Sequence, residues 1–157
     1  MAAEGSGKPP ARQGGGSGGH GARGAQRACD FPAGNRGMKQ VTISADPIST
    51  ARALEPLEHL GGGAIASFTG IARADSGVVA LELEHYPGMT EQNLDALADA
   101  AMARWSLRGC VVIHRVGKLA VGEQVVVVAT AAVHRAEALE ACAFLIDRLK
   151  TDAAFWK

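Results

Sequence analysis

The chain has 157 residues, enough for one domain with an appended segment, and its 16 basic and 16 acidic residues leave a formal net charge of zero. A neutral balance provides no general field that would attract nucleic acid or a membrane surface. No apolar run approaches the roughly 20 residues that a membrane-spanning helix needs. The three cysteines lack a disulfide or zinc-binding spacing, so we expect a reducing, cytoplasmic setting and no metal site.

Residues 1–37 differ in composition from the rest of the chain. They contain eleven of the 20 glycines, and Phe31 is almost their only large apolar residue. Such a segment cannot bury enough apolar surface to offset the entropy of ordering it, so we expect a disordered, mildly basic extension. A nucleic-acid-binding arm stays open, but the simpler interpretation is that Met38 starts the functional chain or that the extension is dispensable. Residues 38–157 then form the domain.

Hydrophobic periodicity and turn residues predict the order βαββαββα for residues 38–157. In chain order the predicted elements are a strand Gln40–Ser44, a helix Ile48–Leu60, strands Ala64–Thr69 and Leu81–His85, a helix Thr90–Trp105, strands Cys110–Val116 and Gln124–Ala132, and a helix Arg135–Lys150. Thr90 is the expected N-cap of the second helix. The last two strands are almost continuously apolar, so we expect them in the centre of a sheet. This order predicts an α+β domain with an antiparallel component.

The final predicted helix carries a lysine close to its apolar side. The predicted buried stripe of this helix consists of Leu139, Cys142, Ala143 and Ile146. Lys150 falls about 20° from Leu139 on the helical wheel. In one interpretation, its ammonium interacts favourably with the negative end of the helix dipole while its aliphatic stem packs on apolar surface. In the other, it transfers protons at a partly enclosed site. Lys157, beside Phe155 and Trp156, adds a second cation suited to an anionic ligand.

Further basic residues follow two of the predicted strands. His134 and Arg135 lie where a strand meets the N-terminus of the final helix, whose free N–H groups favour anions. They predict a phosphate site as readily as a solvated helix cap. Arg73 follows the second strand and gains significance only if the fold brings it to His134 and Lys150.

Five segments carry a specific combination of motifs. They are Phe68-Thr69-Gly70 with Arg73, Leu83-Glu84-His85-Tyr86-Pro87-Gly88-Met89-Thr90, Val112-Ile113-His114-Arg115-Val116-Gly117, Val133-His134-Arg135, and Leu149-Lys150-Thr151 with Phe155-Trp156-Lys157. Together they resemble the large, catalytic subunit of molybdopterin synthase. The resemblance runs in order from about Met38 to Lys157.

The resemblance implies an α/β-hammerhead fold and a homodimer within a heterotetramer. Each copy would bind a small ubiquitin-like sulfur-carrier subunit whose C-terminal Gly-Gly carries a thiocarboxylate. The substrate would be cyclic pyranopterin monophosphate, and two sulfur transfers would form the dithiolene of molybdopterin. No cofactor is implied. This reaction is a step in molybdenum cofactor biosynthesis, and neither nucleic acid nor a membrane takes part.

The resemblance also implies roles for individual residues. The implied catalytic residues are Lys150 and Lys157. The implied substrate-binding residues are Arg73, His134, Arg135, Ile71 and Ala72. Family members usually continue beyond the Phe-Trp-Lys string with a polar tail, which this sequence lacks. A second hypothesis is therefore a truncated, catalytically weak subunit that acts as a dimerising binding module for the small subunit.

Overall fold

The computed structural model describes residues 37–73, 80–152 and 155–156. In chain order the elements are β1 Met38–Ser44, α1 Thr50–Glu58, β2 Ala64–Ile71, β3 Ala80–His85, α2 Met89–Arg104, β4 Gly109–Arg115, β5 Gly117–Ala120, β6 Gln124–Ala132, α3 Arg135–Asp152 and β7 Phe155–Trp156. The eight predicted elements are present, and the α+β class is confirmed. The short strands β5 and β7 are additional. Residues 1–36 lie outside the described ranges, so the extension stays a prediction.

Two sheets organise the described part of the domain. The larger has the strand order β1-β4-β6-β2, in which β1 and β4 are parallel and the other pairs are antiparallel. The smaller is antiparallel with the order β5-β3-β7. The predicted central position of β4 and β6 is confirmed. None of the described helices combines the length and the apolar character needed to cross a bilayer.

Strand β6 is almost continuously apolar, and along most of its length both of its faces are buried. Val128 and Ala132 belong to the core cluster beneath α2 and α3. Val127 and Ala129 belong to a second cluster, on the α1 side of the sheet. Each large side chain of this kind contributes about 1.5–3 kcal/mol when it is fully buried. The sheet therefore has helices on both faces, and it holds α3 against β2 and β6.

The predicted buried face of α3 was partly wrong. Leu139 is 59% exposed and Ala143 is exposed, whereas Cys142 is buried as expected. The buried positions of α3 are Ala138, Ala141, Cys142, Leu145 and Leu149. Compared with the prediction, α3 is rotated about its own axis, because it packs against β2, β6 and α2 together. Lys150 is consequently exposed, beside the buried Leu149, and does not lie on a buried face as its position on the helical wheel predicted.

The predicted N-cap of α2 was also wrong. Thr90 lies inside the helix and is fully buried, and its hydroxyl accepts the Tyr86 N–H at 3.2 Å. Gly88 is the N-cap, with φ of 85°, a conformation in which a side chain is strained. The Glu91 carboxylate accepts the Gly88 N–H at 2.6 Å. A glycine with positive φ therefore occupies the N-cap position that was predicted for Thr90.

The buried His114 in β4 should make the fold less stable at mildly acidic pH. Burial lowers the pKa of the His114 imidazole to about 4, and its Nδ1 donates to the Arg115 carbonyl oxygen at 2.7 Å. The unfolded chain takes up this proton near its ordinary pKa of 6.5, whereas the folded chain does so only near 4. The unfolded state therefore binds more protons between these values, and stability falls as the pH falls. Between pH 7 and pH 5 the free energy of unfolding should decrease by about 2 kcal/mol from this group alone.

Urea denaturation of the parent chain and of His114→Gln at both pH values measures this effect. The glutamine variant does not titrate at this position, so its stability should change by about 2 kcal/mol less over the same range. Equal changes in the two proteins would show that His114 is not held neutral in the fold.

Candidate active site

An open pocket of about 780 Å³ lies where β2 ends, between β3, β6 and the C-terminal part of α3. Its lining residues are Phe68, Thr69, Gly70, Ile71, Ala72, Arg73, Leu81, Leu83, Val125, Val126 and Lys150. This volume is typical of sites that bind small molecules. The pocket is the strongest candidate for an active site in the described part of the chain.

The charged groups that line this pocket are both cations. Among the described residues that line it, only Arg73 and Lys150 carry a charged side chain, and both are exposed. Neither forms an ion pair with any described residue. Apolar side chains form most of the remaining wall and can pack against the apolar part of a ligand. The described wall is therefore suited to an anionic ligand with an apolar body.

Two local features of β2 shape the pocket. A Cβ on Gly70 would lie 2.7 Å from Cγ1 of Val126, so only glycine allows β2 to approach β6 this closely. The register then shifts between Gly70 and Ile71, and the pairing of the two strands ends with Ile71 opposite Gln124. Ala72 follows and is buried, and its carbonyl oxygen and N–H bond to residues 122 and 123. These contacts determine where the chain leaves the sheet, and Arg73 is the next residue.

The C-terminal aromatic segment lies beside a strand that lines the pocket. The backbone of β7 pairs with β3, with Trp156 opposite Glu84 and Phe155 opposite His85. Leu83 of β3 is part of the pocket wall. The terminal segment is therefore next to the candidate site. Lys157 lies outside the described residues, and its position there stays a prediction.

His134 and Arg135 lie elsewhere in the same chain. They line a different pocket with Gly63, Val133 and Ala136 at the N-terminus of α3. Lys150 is near the other end of α3, about 22 Å away at 1.5 Å per residue. One chain thus brings Lys150 together with Arg73, Ile71 and Ala72, but not with His134 or Arg135.

Some residues of the pocket were not singled out from the sequence. Leu81 and Leu83 alternate with acidic residues in β3, a pattern that indicates an apolar strand face but not the wall of a site. Val125 and Val126 belong to a uniformly apolar strand in which nothing distinguishes pocket residues from core residues. The contact of Ala72 with residues 122 and 123 joins parts of the chain that are remote in sequence, and no local pattern indicates it.

The described cysteines are poor nucleophiles. Cys110 and Cys142 are both free and buried. Burial raises the pKa of the Cys110 thiol to about 12 and that of the Cys142 thiol to about 11. The thiolate is the reactive form of cysteine, so neither group is prepared for sulfur chemistry near neutral pH.

Comparison with known proteins finds relatives that share one name. The molybdopterin synthase catalytic subunit of Ralstonia nicotianae is 56% identical over 98 residues, which are 60% of this chain and 56% of that protein. The subunit of the same name from Cereibacter sphaeroides is 54% identical over 121 residues, 75% of this chain and 83% of that protein. The chain thus spans little more than half the length of the first relative and most of the second.

The fold has a solved counterpart. The molybdopterin biosynthesis MoaE protein of Burkholderia ambifaria MC40-6 superimposes with a TM-score of 0.70 at 41% identity, covering 76% of this chain and 81% of that one. The sequence model of the MoaE protein family matches residues 43–152, which include β2, the residues that line the pocket and all of α3. The chain belongs to the MoaE protein family.

Proposed function

We propose that this chain is the catalytic subunit of a molybdopterin synthase. It transfers sulfur from the C-terminal thiocarboxylate of a small ubiquitin-like subunit to cyclic pyranopterin monophosphate, and two transfers form the dithiolene of molybdopterin. The observation that carries the proposal is the pocket in which Arg73 and Lys150 are the charged lining groups, because the substrate is an anionic phosphate on an apolar-faced ring system.

The pocket suggests a division of roles. Arg73 binds the phosphate, since a guanidinium donates to phosphate oxygens in a planar, two-bond geometry. Lys150 transfers protons while sulfur adds to the pterin and the cyclic phosphate opens. Ile71 and Ala72 line the same end of the pocket. Lys157, which follows β7, binds the carboxyl terminus of the small subunit or stabilises the developing negative charge.

The sulfur atom comes from the partner and not from this chain. Cys110 and Cys142 are buried thiols with raised pKa values, so neither can hold or deliver sulfur at the pocket. A thiocarboxylate brings its own activated sulfur and requires from this chain only binding and proton transfer. The free thiols also agree with a reducing compartment, and we propose that the enzyme acts in the cytoplasm.

A second copy of the chain completes the site. His134 and Arg135 lie about 22 Å along α3 from Lys150, too far to contact the same small substrate within one copy. A homodimer can place them at the pocket of the neighbouring copy. β2 is an edge strand, and Ile65 and Phe68 on it, with Leu139 on α3, are large apolar side chains exposed to about 40–60%. An unpaired strand edge with exposed apolar side chains near it is available for an interface with a second copy.

The direct test is a sulfur-transfer assay on the chain as it stands. Purified chain is mixed with thiocarboxylated small subunit and cyclic pyranopterin monophosphate, and molybdopterin is quantified by mass spectrometry. We expect one molybdopterin for two thiocarboxylates consumed, and none with the small subunit in its carboxylate form. Binding of the small subunit without product would favour the binding module over the enzyme. If the small subunit does not bind and no product forms, both the enzyme and the binding module are excluded.

A further inference from the structure

An ion pair between a buried arginine and a partly exposed glutamate lies outside the residues that line the pocket. Arg115, at the end of β4, is 5% exposed, and its Nη1 donates to Oε1 of Glu123 at 3.1 Å. Nη2 is 3.4 Å from the carbonyl oxygen of Ala45. Removing an arginine from water is costly, and such pairs often add little net stability. The position of this pair therefore calls for an explanation other than stability alone.

Glu123 belongs to the turn at residues 120–123, which joins β5 to β6. Its Oε2 accepts the Ala120 N–H at 2.7 Å, and its own N–H donates to the Ala120 carbonyl oxygen at 3.1 Å. Gly122 in this turn has φ of 92°, which favours glycine. The carboxylate of Glu123 thus links the buried guanidinium of Arg115 to the backbone of the 120–123 turn.

The same turn bonds to the backbone at the mouth of the pocket. The Ala72 N–H donates to the Glu123 carbonyl oxygen at 2.8 Å, and the Gly122 N–H donates to the Ala72 carbonyl oxygen at 2.8 Å. The last strand pair before this point is Ile71 with Gln124. Beyond that pair, these two hydrogen bonds hold the chain where it leads into Arg73.

We propose that Arg115 and Glu123 are positioning residues for the anion-binding end of the pocket. They hold the 120–123 turn, the turn holds Ala72, and Ala72 determines where Arg73 is presented to the substrate. This inference rests on the proposed function for its kinetic consequence, but the structural connection from Arg115 to Ala72 can be measured separately. A misplacement of about 1 Å in a binding group can cost up to about a hundredfold in rate.

The variant Arg115→Met tests the proposal through the division between KM and kcat. We expect KM for cyclic pyranopterin monophosphate to rise about tenfold, while kcat stays within about twofold, because Lys150 is on α3 and does not depend on the turn. Arg115→Lys keeps the charge but cannot contact both Glu123 and the Ala45 carbonyl oxygen. Its KM should therefore lie between that of the parent chain and that of Arg115→Met. A purely structural role would reduce the folded fraction, which lowers kcat and leaves KM unchanged.

Val111→Ala is the matched control. Val111 is fully buried in the same strand, in the cluster on the α1 side of the sheet, so its truncation lowers stability without touching the turn. We expect a reduced Tm with an unchanged KM. If Arg115→Met does not fold, Glu123→Gln takes its place, since it retains an oxygen for the Ala120 N–H but loses the charge. A tenfold increase in KM is expected for it as well.

Hydrogen exchange measures the connection without any turnover. In Arg115→Met the amides of Ala72 and Gly122 should exchange about tenfold faster relative to the core amide of Val128, and in Val111→Ala this ratio should not change. An unchanged ratio together with an unchanged KM would overturn the proposal. If the parent chain makes no molybdopterin, the proposed function fails, and the exchange ratio alone then decides whether Arg115 positions Ala72.

Discussion

Lys150→Ala is expected to reduce molybdopterin formation at least about a hundredfold, because a positioned proton-transfer group contributes about 10²–10⁴ in rate. The side chain is exposed at the pocket, so its truncation should leave the fold intact. The measurement is single-turnover product formation with saturating thiocarboxylated small subunit. Single turnover separates chemistry from product release.

Lys118→Ala is the control for this substitution. Lys118 is an exposed lysine on β5 and is not among the residues that line the pocket, so its removal changes the charge equally. Both variants should keep the parent Tm within a degree or two and should bind the small subunit. Turnover of Lys150→Ala within about threefold of the parent would exclude Lys150 from the chemical step.

Mixing two inactive variants is expected to restore activity if the site spans two copies of the chain. Lys150→Ala and Arg135→Ala homodimers should each be strongly impaired. After subunit exchange, a mixed dimer has one site with both residues intact and one site with neither. Random exchange should therefore restore about a quarter of the parent's sites, because half of the dimers are mixed. Product formation before and after exchange measures the effect.

The control pair is Lys150→Ala with Arg73→Ala. Both residues line the same pocket of one chain, so every site in the mixed dimer lacks one of them, and no activity should return. Failure of the Lys150 and Arg135 pair to recover, with mixed dimers detected by native mass spectrometry, would place Arg135 outside the site.

The sheet could be predicted from the sequence because its central strands have a strong pattern. β4 and β6 are largely buried on both faces and are therefore almost continuously apolar, which places them in the centre. In β3 apolar and acidic residues alternate, which is typical of a strand with one buried face, and Leu83 is buried while Glu82 is exposed. These patterns depend on neighbours within a few residues, so they can be recognised in a single sequence.

The face of α3 and the mouth of the pocket could not be predicted in this way. α3 is rich in alanine and has apolar residues on more than one side, so its rotation is set by contacts with β2, β6 and α2. The hydrogen bonds of Ala72 to residues 122 and 123 join positions remote in sequence. The resemblance grouped His134 and Arg135 with Lys150, but within one chain they lie at the opposite end of α3.

The strand order has a consequence for the growing chain on the ribosome. In the order β1-β4-β6-β2 the two edge strands are synthesised first, and the two central strands that pair with them come later. Met38 pairs with Gly109, about 70 residues further along, which corresponds to roughly 4–14 s at 5–20 residues per second. During this interval β1 and β2 are available to pair with other nascent chains. Slowing translation before β4 should therefore increase aggregation of this protein.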